Sequence, residues 1–225
     1  MFHVKQKNKN ILREKFKKIK NGVFHVKQFA NFSKETIEKL KIYEETLKKW
    51  QSKINLISPS TVPDIWNRHI MDSAQLYPLI SKQPQIILDL GSGAGFPGLV
   101  LAILNQTEGK GNWAVHLVES DSRKCAFMQE VLRLCHIQAT VHNCRIEDMP
   151  SIKADIITAR ALKETKTLLY YVIPFLKTDT VCLFLKGENA DFELNWAAND
   201  YSFLVEKIPS LTKGSFILKM MEIHK

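Results

Sequence analysis

The segment Ile86-Ile87-Leu88-Asp89-Leu90, followed directly by Gly91-Ser92-Gly93-Ala94-Gly95-Phe96-Pro97-Gly98, constrains the fold more than any other. The apolar run reads as a short buried strand. The glycines permit a tight turn, because they supply positive φ and let a ligand approach the main chain. Gly98 to Leu104 then continues with a helical pattern. A strand, a glycine turn and a helix in succession belong to an α/β sheet. In such sheets ligands bind beyond the carboxyl ends of the parallel strands.

The rest of the chain repeats that alternation. Val115–Val118 is a second strand ending at Glu119, and Asp121 or Ser122 can cap a helix with Phe127, Met128, Val131 and Leu134 on its inner face. Further strands are expected at Ala139–His142, Ala154–Thr158 and Val181–Leu185, with a helix at Leu168–Leu176. Tyr201–Ile208 and Phe216–Ile223 are close enough to form a hairpin, which adds an antiparallel strand. The pattern predicts a mostly parallel, doubly wound sheet of seven strands.

Upstream, Ser33 can cap a helix carrying Ile37, Leu40, Tyr43, Leu47, Trp50 and Ile54 as an apolar stripe. Asn55–Pro63 reads as a connection, and Pro63 can open a second helix. Its inner face would be Ile65, Trp66, His69, Ile70, Ser73, Leu76 and Tyr77, and Lys82-Gln83-Pro84 would end it. Three regions follow: a basic tail at 1–22, a helical extension at 23–84 and the sheet domain at 85–225.

Charge is unevenly placed. The net charge is +9, yet residues 1–53 hold fifteen Lys or Arg against five acids, so the remainder sums to −1. A basic end of this kind suits a phosphate-rich partner. Phe2-His3-Val4-Lys5-Gln6 recurs as Phe24-His25-Val26-Lys27-Gln28, a single match and not a solenoid period. The longest apolar run, Leu99–Leu104, is far short of the ~20 residues of a membrane span. No secretory signal is evident, and the four cysteines form no C-x-x-C pair. A metal-free protein of a reducing cytoplasm is expected.

Two ligands compete for the glycine loop. Gly93-x-Gly95-x-x-Gly98, with Glu119 21 residues on, matches the dinucleotide fingerprint. An acid followed by G-x-G-x-G at the strand end (Asp89, Gly91, Gly93, Gly95) matches S-adenosylmethionine (SAM) sites instead. The register favours SAM, since a carboxylate at Asp89 opposes a pyrophosphate and suits ammonium and sulfonium charge. Glu119 would accept from the ribose hydroxyls.

The glycine loop with its Phe96-Pro97-Gly98 continuation resembles the bacterial small-subunit ribosomal RNA guanine-N7 methyltransferases, also called glucose-inhibited division protein B. Asn55-Leu56-Ile57-Ser58, Arg68-His69-Ile70-Met71-Asp72-Ser73, Arg145-Ile146-Glu147, Thr158-Ala159-Arg160-Ala161 and Leu185-Lys186-Gly187 extend the likeness over residues 24–223. The resemblance implies a Rossmann-like SAM-dependent methyltransferase fold with a helical N-terminal extension. It implies SAM contacts at Gly91, Phe96, Ile146, Glu147 and Arg160, and 16S ribosomal RNA, alone or within the small subunit, as partner.

Guanine N7 carries a lone pair and no proton, so positioning without a general base would suffice. Arg160 is expected to contact the SAM carboxylate or the target guanine, and Arg145, Lys186, Arg68 and His69 to touch RNA. Cys125, Cys135 and Cys144 read as inert thiols. Nothing in the sequence demands more than a monomer. Competing expectations are a tRNA or protein acceptor, an NAD-linked oxidoreductase and a non-catalytic RNA-binding module.

Overall fold

The computed structural model describes residues 32–83, 85–109 and 112–225. The expectations for residues 1–22 and for the repeated Phe24–Gln28 segment lie outside them. Seven strands form one sheet: β1 (Gln85–Leu90), β2 (Trp113–Glu119), β3 (Thr140–Asn143), β4 (Ile156–Arg160), β5 (Val181–Lys186), β6 (Ser202–Pro209) and β7 (Phe216–His224). Their order is β3-β2-β1-β4-β5-β7-β6. All pairs from β3 through β5 are parallel, while β7 runs antiparallel between β5 and β6. The order reverses at β1, which pairs with β2 on one side and β4 on the other. This is the switch point at which open α/β sheets bind ligands.

The helix α1 (Lys34–Gln51) begins as the sequence predicts. The Ser33 side chain accepts from the Thr36 amide at 3.2 Å, satisfying one of the unpaired first-turn donors. Leu40, Tyr43 and Leu47 are fully buried. Tyr43 stacks on Phe96 with ring centroids 5.1 Å apart, and its hydroxyl donates to the Ala94 carbonyl. Lys39 Nζ donates to the Cys135 carbonyl at 2.7 Å, tying α1 to the end of α3 (Ser122–Cys135). The N-terminal extension is thus a wall of the glycine loop.

The longest apolar run lies in α2 (Gly98–Thr107), whose residues from Gly98 to Asn105 are all buried. A helix apolar on every side needs cover on every side, and α1 and the sheet supply it. Gly98 packs so closely that an added Cβ would lie 2.2 Å from Leu117 Cδ2 and 2.7 Å from Asp89 Oδ2.

Three expectations change. Residues 59–79 are not one helix opened by Pro63. They form a 3-10 turn at Pro59–Asp64, a wide π turn at Trp66–Met71, a short α turn at Asp72–Ala74 and another 3-10 turn at Tyr77–Leu79. Pro63 sits inside the first of these. The segment still buries Ile65, His69, Ile70, Ser73 and Leu76. Second, α2 runs beyond Leu104 to Thr107, and the Asn105 side chain pairs with the main chain of Trp113 at 3.3 and 3.4 Å. That connection enters β2 at the end opposite Glu119. Third, besides α4 (Thr165–Val172), a further helix, α5 (Ala190–Ala197), has no apolar stripe to announce it, and its Phe192 and Trp196 remain exposed. No described helix is long and apolar enough to cross a membrane.

Gly98→Ala should lower stability by about 1–3 kcal/mol, because a methyl group forced into a filled contact strains both neighbours. Urea unfolding of variant and parent measures it.

Candidate active site

A cavity of about 610 Å³ opens at the carboxyl ends of β1, β2 and β4. One half is lined by Gly91, Ser92, Gly93 and Ala94, by Glu119 and Ser120, and by Cys144–Glu147. The other half is lined by Leu56, Ile57, Ser58, Thr61 and His69, with Phe96 and Arg160 between them and Leu162, Lys163 and Tyr171 at the margin.

The glycine loop is held by two carboxylates. Glu119, at the end of β2, accepts from the Gly93 amide at 2.9 Å and, through its other oxygen, from the Asp121 amide at 2.8 Å. Asp89 is fully buried in β1. One of its oxygens accepts from Thr158 Oγ1 of β4 at 2.7 Å, and the other from the Gly98 amide at the start of α2 at 3.2 Å. Burial pushes the Asp89 carboxyl from 3.8 up to about 6, against the hydrogen bonds from Thr158 and Gly98.

These contacts separate the two candidate ligands. A pyrophosphate needs loop and helix-terminal amides as donors. Here Gly93 and Gly98 already give theirs to carboxylates. The loop suits a ligand with cationic and hydroxyl groups, because the Glu119 carboxylate still has lone pairs facing the cavity. SAM fits this donor set and a dinucleotide does not.

The sequence placed Asp89 among the groups facing the ligand's charge. Its side chain instead points into the fold, where β4 and α2 consume its hydrogen-bonding capacity. Gly95 is also buried and not among the lining residues, packed on Leu99. Gly91, Gly93, Phe96, Glu119, Ile146, Glu147 and Arg160 all line it. Among the expected RNA contacts, Arg145 and His69 line the cavity. Arg68 is exposed outside it, and Lys186 is folded onto Glu193 Oε2 at 2.8 Å and the Lys163 carbonyl at 2.5 Å.

Arg160 ends β4 in a compact cluster. Its guanidinium carbon lies 5.3 Å from the Phe96 ring centroid, and His69 stacks on the same ring at 5.1 Å. Arg160 Nη2 donates to His69 Nδ1. A guanidinium can only donate, so His69 Nδ1 is the acceptor and Nε2 carries the proton. That proton is given to Thr61 Oγ1 at 2.8 Å. Burial, then the Arg160 charge, push His69 down to about 3, so it stays neutral near pH 7. Arg160 Nη1 is buried without a hydrogen-bond partner among the described residues, 3.7 Å from Asp72 Oδ2.

Leu56, Ile57, Ser58 and Thr61 lie in the segment that the sequence predicts to be only a connection, although the first three belong to a stretch shared with the resembled family. The model of the family described as "GidB: rRNA small subunit methyltransferase G" matches residues 36–217. The chain belongs to this family. A GidB relative from Paramagnetospirillum magneticum, named ribosomal RNA small subunit methyltransferase G, is 47% identical over 197 residues, covering 87% of this chain and 93% of its own. Another of that name, from Gluconobacter oxydans, is 46% identical over 194 residues, covering 86% and 97%. Among solved structures, a SAM dependent methyltransferase from Aquifex aeolicus gives a TM-score of 0.56 at 15% identity, covering 79% of this chain and 98% of that one. A ribosomal protein L11 methylase from Lactobacillus delbrueckii gives 0.55 at 16%, covering 68% and 78%. These likenesses show that the chain has the Rossmann-like fold of such methyltransferases.

Because the folded carboxyl of Asp89 lies above its unfolded value, the native state holds its proton longer as pH rises. The stabilising contribution of Asp89 is present below about pH 4 and is lost as pH rises to about 6. The stability difference between parent and Asp89→Asn should therefore shift against the parent across that window and level off above it. Urea midpoints at several pH values test this.

Proposed function

We propose that this chain transfers a methyl group from SAM to N7 of one guanine in 16S ribosomal RNA, acting as a cytoplasmic monomer on the RNA or the small subunit. The observation that carries it is the glycine loop whose amides are held by Asp89 and Glu119, which admits a cationic donor and turns away a pyrophosphate. Family membership supports the ribosomal acceptor.

When bound, SAM supplies a sulfonium methyl that is already electrophilic. Glu119 would accept from the ribose hydroxyls, and the Ile146-Glu147 turn would flank the adenine. Arg160 faces the acceptor half through its bond to His69 and donates to guanine O6, which leaves N7 open. No base is required at N7, and His69 offers none, since both nitrogens of its neutral ring are engaged. Phe96, Ile57 and Leu162 narrow the cavity against water. Lys124, Arg145 and Lys163 at its lining carry charge that suits RNA phosphates. Rate then comes from alignment and exclusion of water, which can supply ~7–11 kcal/mol.

Labelled SAM should convert 16S RNA or small subunits from a strain lacking this gene to contain 7-methylguanosine at one site, identified by nuclease digestion and mass spectrometry. SAM binding without transfer would reject the acceptor; no SAM binding would reject the loop assignment. Two substitutions separate the halves. Arg160→Ala should lower kcat about 100-fold with SAM affinity nearly unchanged. Glu119→Ala should weaken SAM binding about tenfold or more, as expected for a lost charged hydrogen bond.

A further inference from the structure

Asp72 stands outside the cavity lining, yet more polar contacts converge on it than on any group that lines the acceptor half. It is 7% exposed. Its Oδ1 accepts from Gln75 Nε2 at 2.9 Å, Ser210 Oγ at 2.8 Å and Thr212 Oγ1 at 3.2 Å. The two hydroxyls come from the loop between β6 and β7. That loop is closed on itself by Ser210 N to Ser215 O and Ser215 N to Thr212 O, both at 3.0 Å. Gln75 reinforces the junction, accepting from the Leu211 amide at 3.0 Å and donating to Ser210 Oγ at 2.8 Å.

Three donors on Oδ1 fix the plane of the carboxylate and leave Oδ2 to face Arg160. At 3.7 Å the pair attracts without meeting hydrogen-bond geometry. It therefore directs the guanidinium while leaving the Nη1 hydrogens uncommitted. His69 holds the other arm through Nη2. Arg160 is thus steered at two points, with one buried donor held ready.

We propose that Asp72 is the positioning residue for Arg160, and that the β6–β7 loop, through Ser210 and Thr212, sets the aim of the guanidinium toward the acceptor base. This inference rests on the proposed function, in which Arg160 serves the acceptor and not SAM.

The test measures SAM affinity by calorimetry, kcat on 16S RNA, and solvent exchange of the Arg160 Nε–H by NMR, all in the full chain. Asp72→Asn should lower kcat about 100-fold, the scale of a ~1 Å misplacement, with the SAM Kd within about twofold of the parent, as expected for a group that does not touch SAM. Ser210→Ala, which keeps the carboxylate and lies remote from the cavity, should lower kcat by roughly the fivefold that one hydrogen bond represents. In an Arg160→Ala background, adding Asp72→Asn should cost almost nothing further, since a residue acting through Arg160 has nothing left to act on. Equal losses in both backgrounds would overturn the inference and make Asp72 merely structural. A SAM Kd that rises as much as kcat falls would also overturn it. The exchange measurement needs no transfer: Asp72→Asn should speed exchange at Arg160, and unchanged exchange would overturn the positioning role. A parent protein that binds SAM but methylates no RNA would instead reject the proposed function.

Discussion

The buried carboxylate of Asp89 holds the loop, the helix behind it and the neighbouring strand in one arrangement. It receives Thr158 from β4 and the first amide of α2, so it joins the switch-point strand to both elements that flank the site. Burying a carboxylate is costly unless it is hydrogen-bonded; the two donors at 2.7 and 3.2 Å offset part of that cost, and burial still raises the carboxyl to about 6. The closeness of Gly98 follows from the same contact, since any side chain there would displace the oxygen that caps the helix. Glu119 repeats the device one strand away, on Gly93. The sign of the charge that the loop tolerates is set by these two acids before any ligand arrives.

The acceptor half obeys a different electrostatic rule. A guanidinium, a neutral imidazole and two aromatic rings share a small volume around Phe96. Burial, and then the Arg160 charge, keep His69 neutral near pH 7, so it serves as a hydrogen-bonded spacer between Arg160 and Thr61. The arrangement suits an acceptor atom that brings its own lone pair. It offers directed donors and stacking surfaces rather than a base.

Much of this was legible in the residues. The apolar runs located β1, β2, β4 and β5 to within a few positions, because buried parallel strands have little choice but Ile, Leu and Val. Ser33 announced α1 through the chemistry of an unpaired first turn. Other features were hidden for physical reasons. A carboxylate at a strand end does not reveal which face it takes, and only the internal donors Thr158 and Gly98 mark Asp89 as a group of the fold rather than of the ligand. The π turn at Trp66–Met71 depends on tertiary burial of His69 and Ile70, and no local pattern encodes it. Lys186 carries a charge that suggests RNA, but Glu193, seven residues on, claims it. The helix α5 lacked a stripe because its largest apolar side chains stay in solvent.

The link between Asp72 and Ser210 spans 138 residues. A chain emerging from the ribosome as far as Arg160 already contains the glycine loop, Glu119 and the guanidinium itself, yet not the hydroxyls that orient Asp72. The donor side of the cavity is encoded early and the aim of the acceptor side late. In the proposed arrangement, a chain built in this order holds its arginine before the hydroxyls that steer it, and the steering is completed when the β6–β7 hairpin closes.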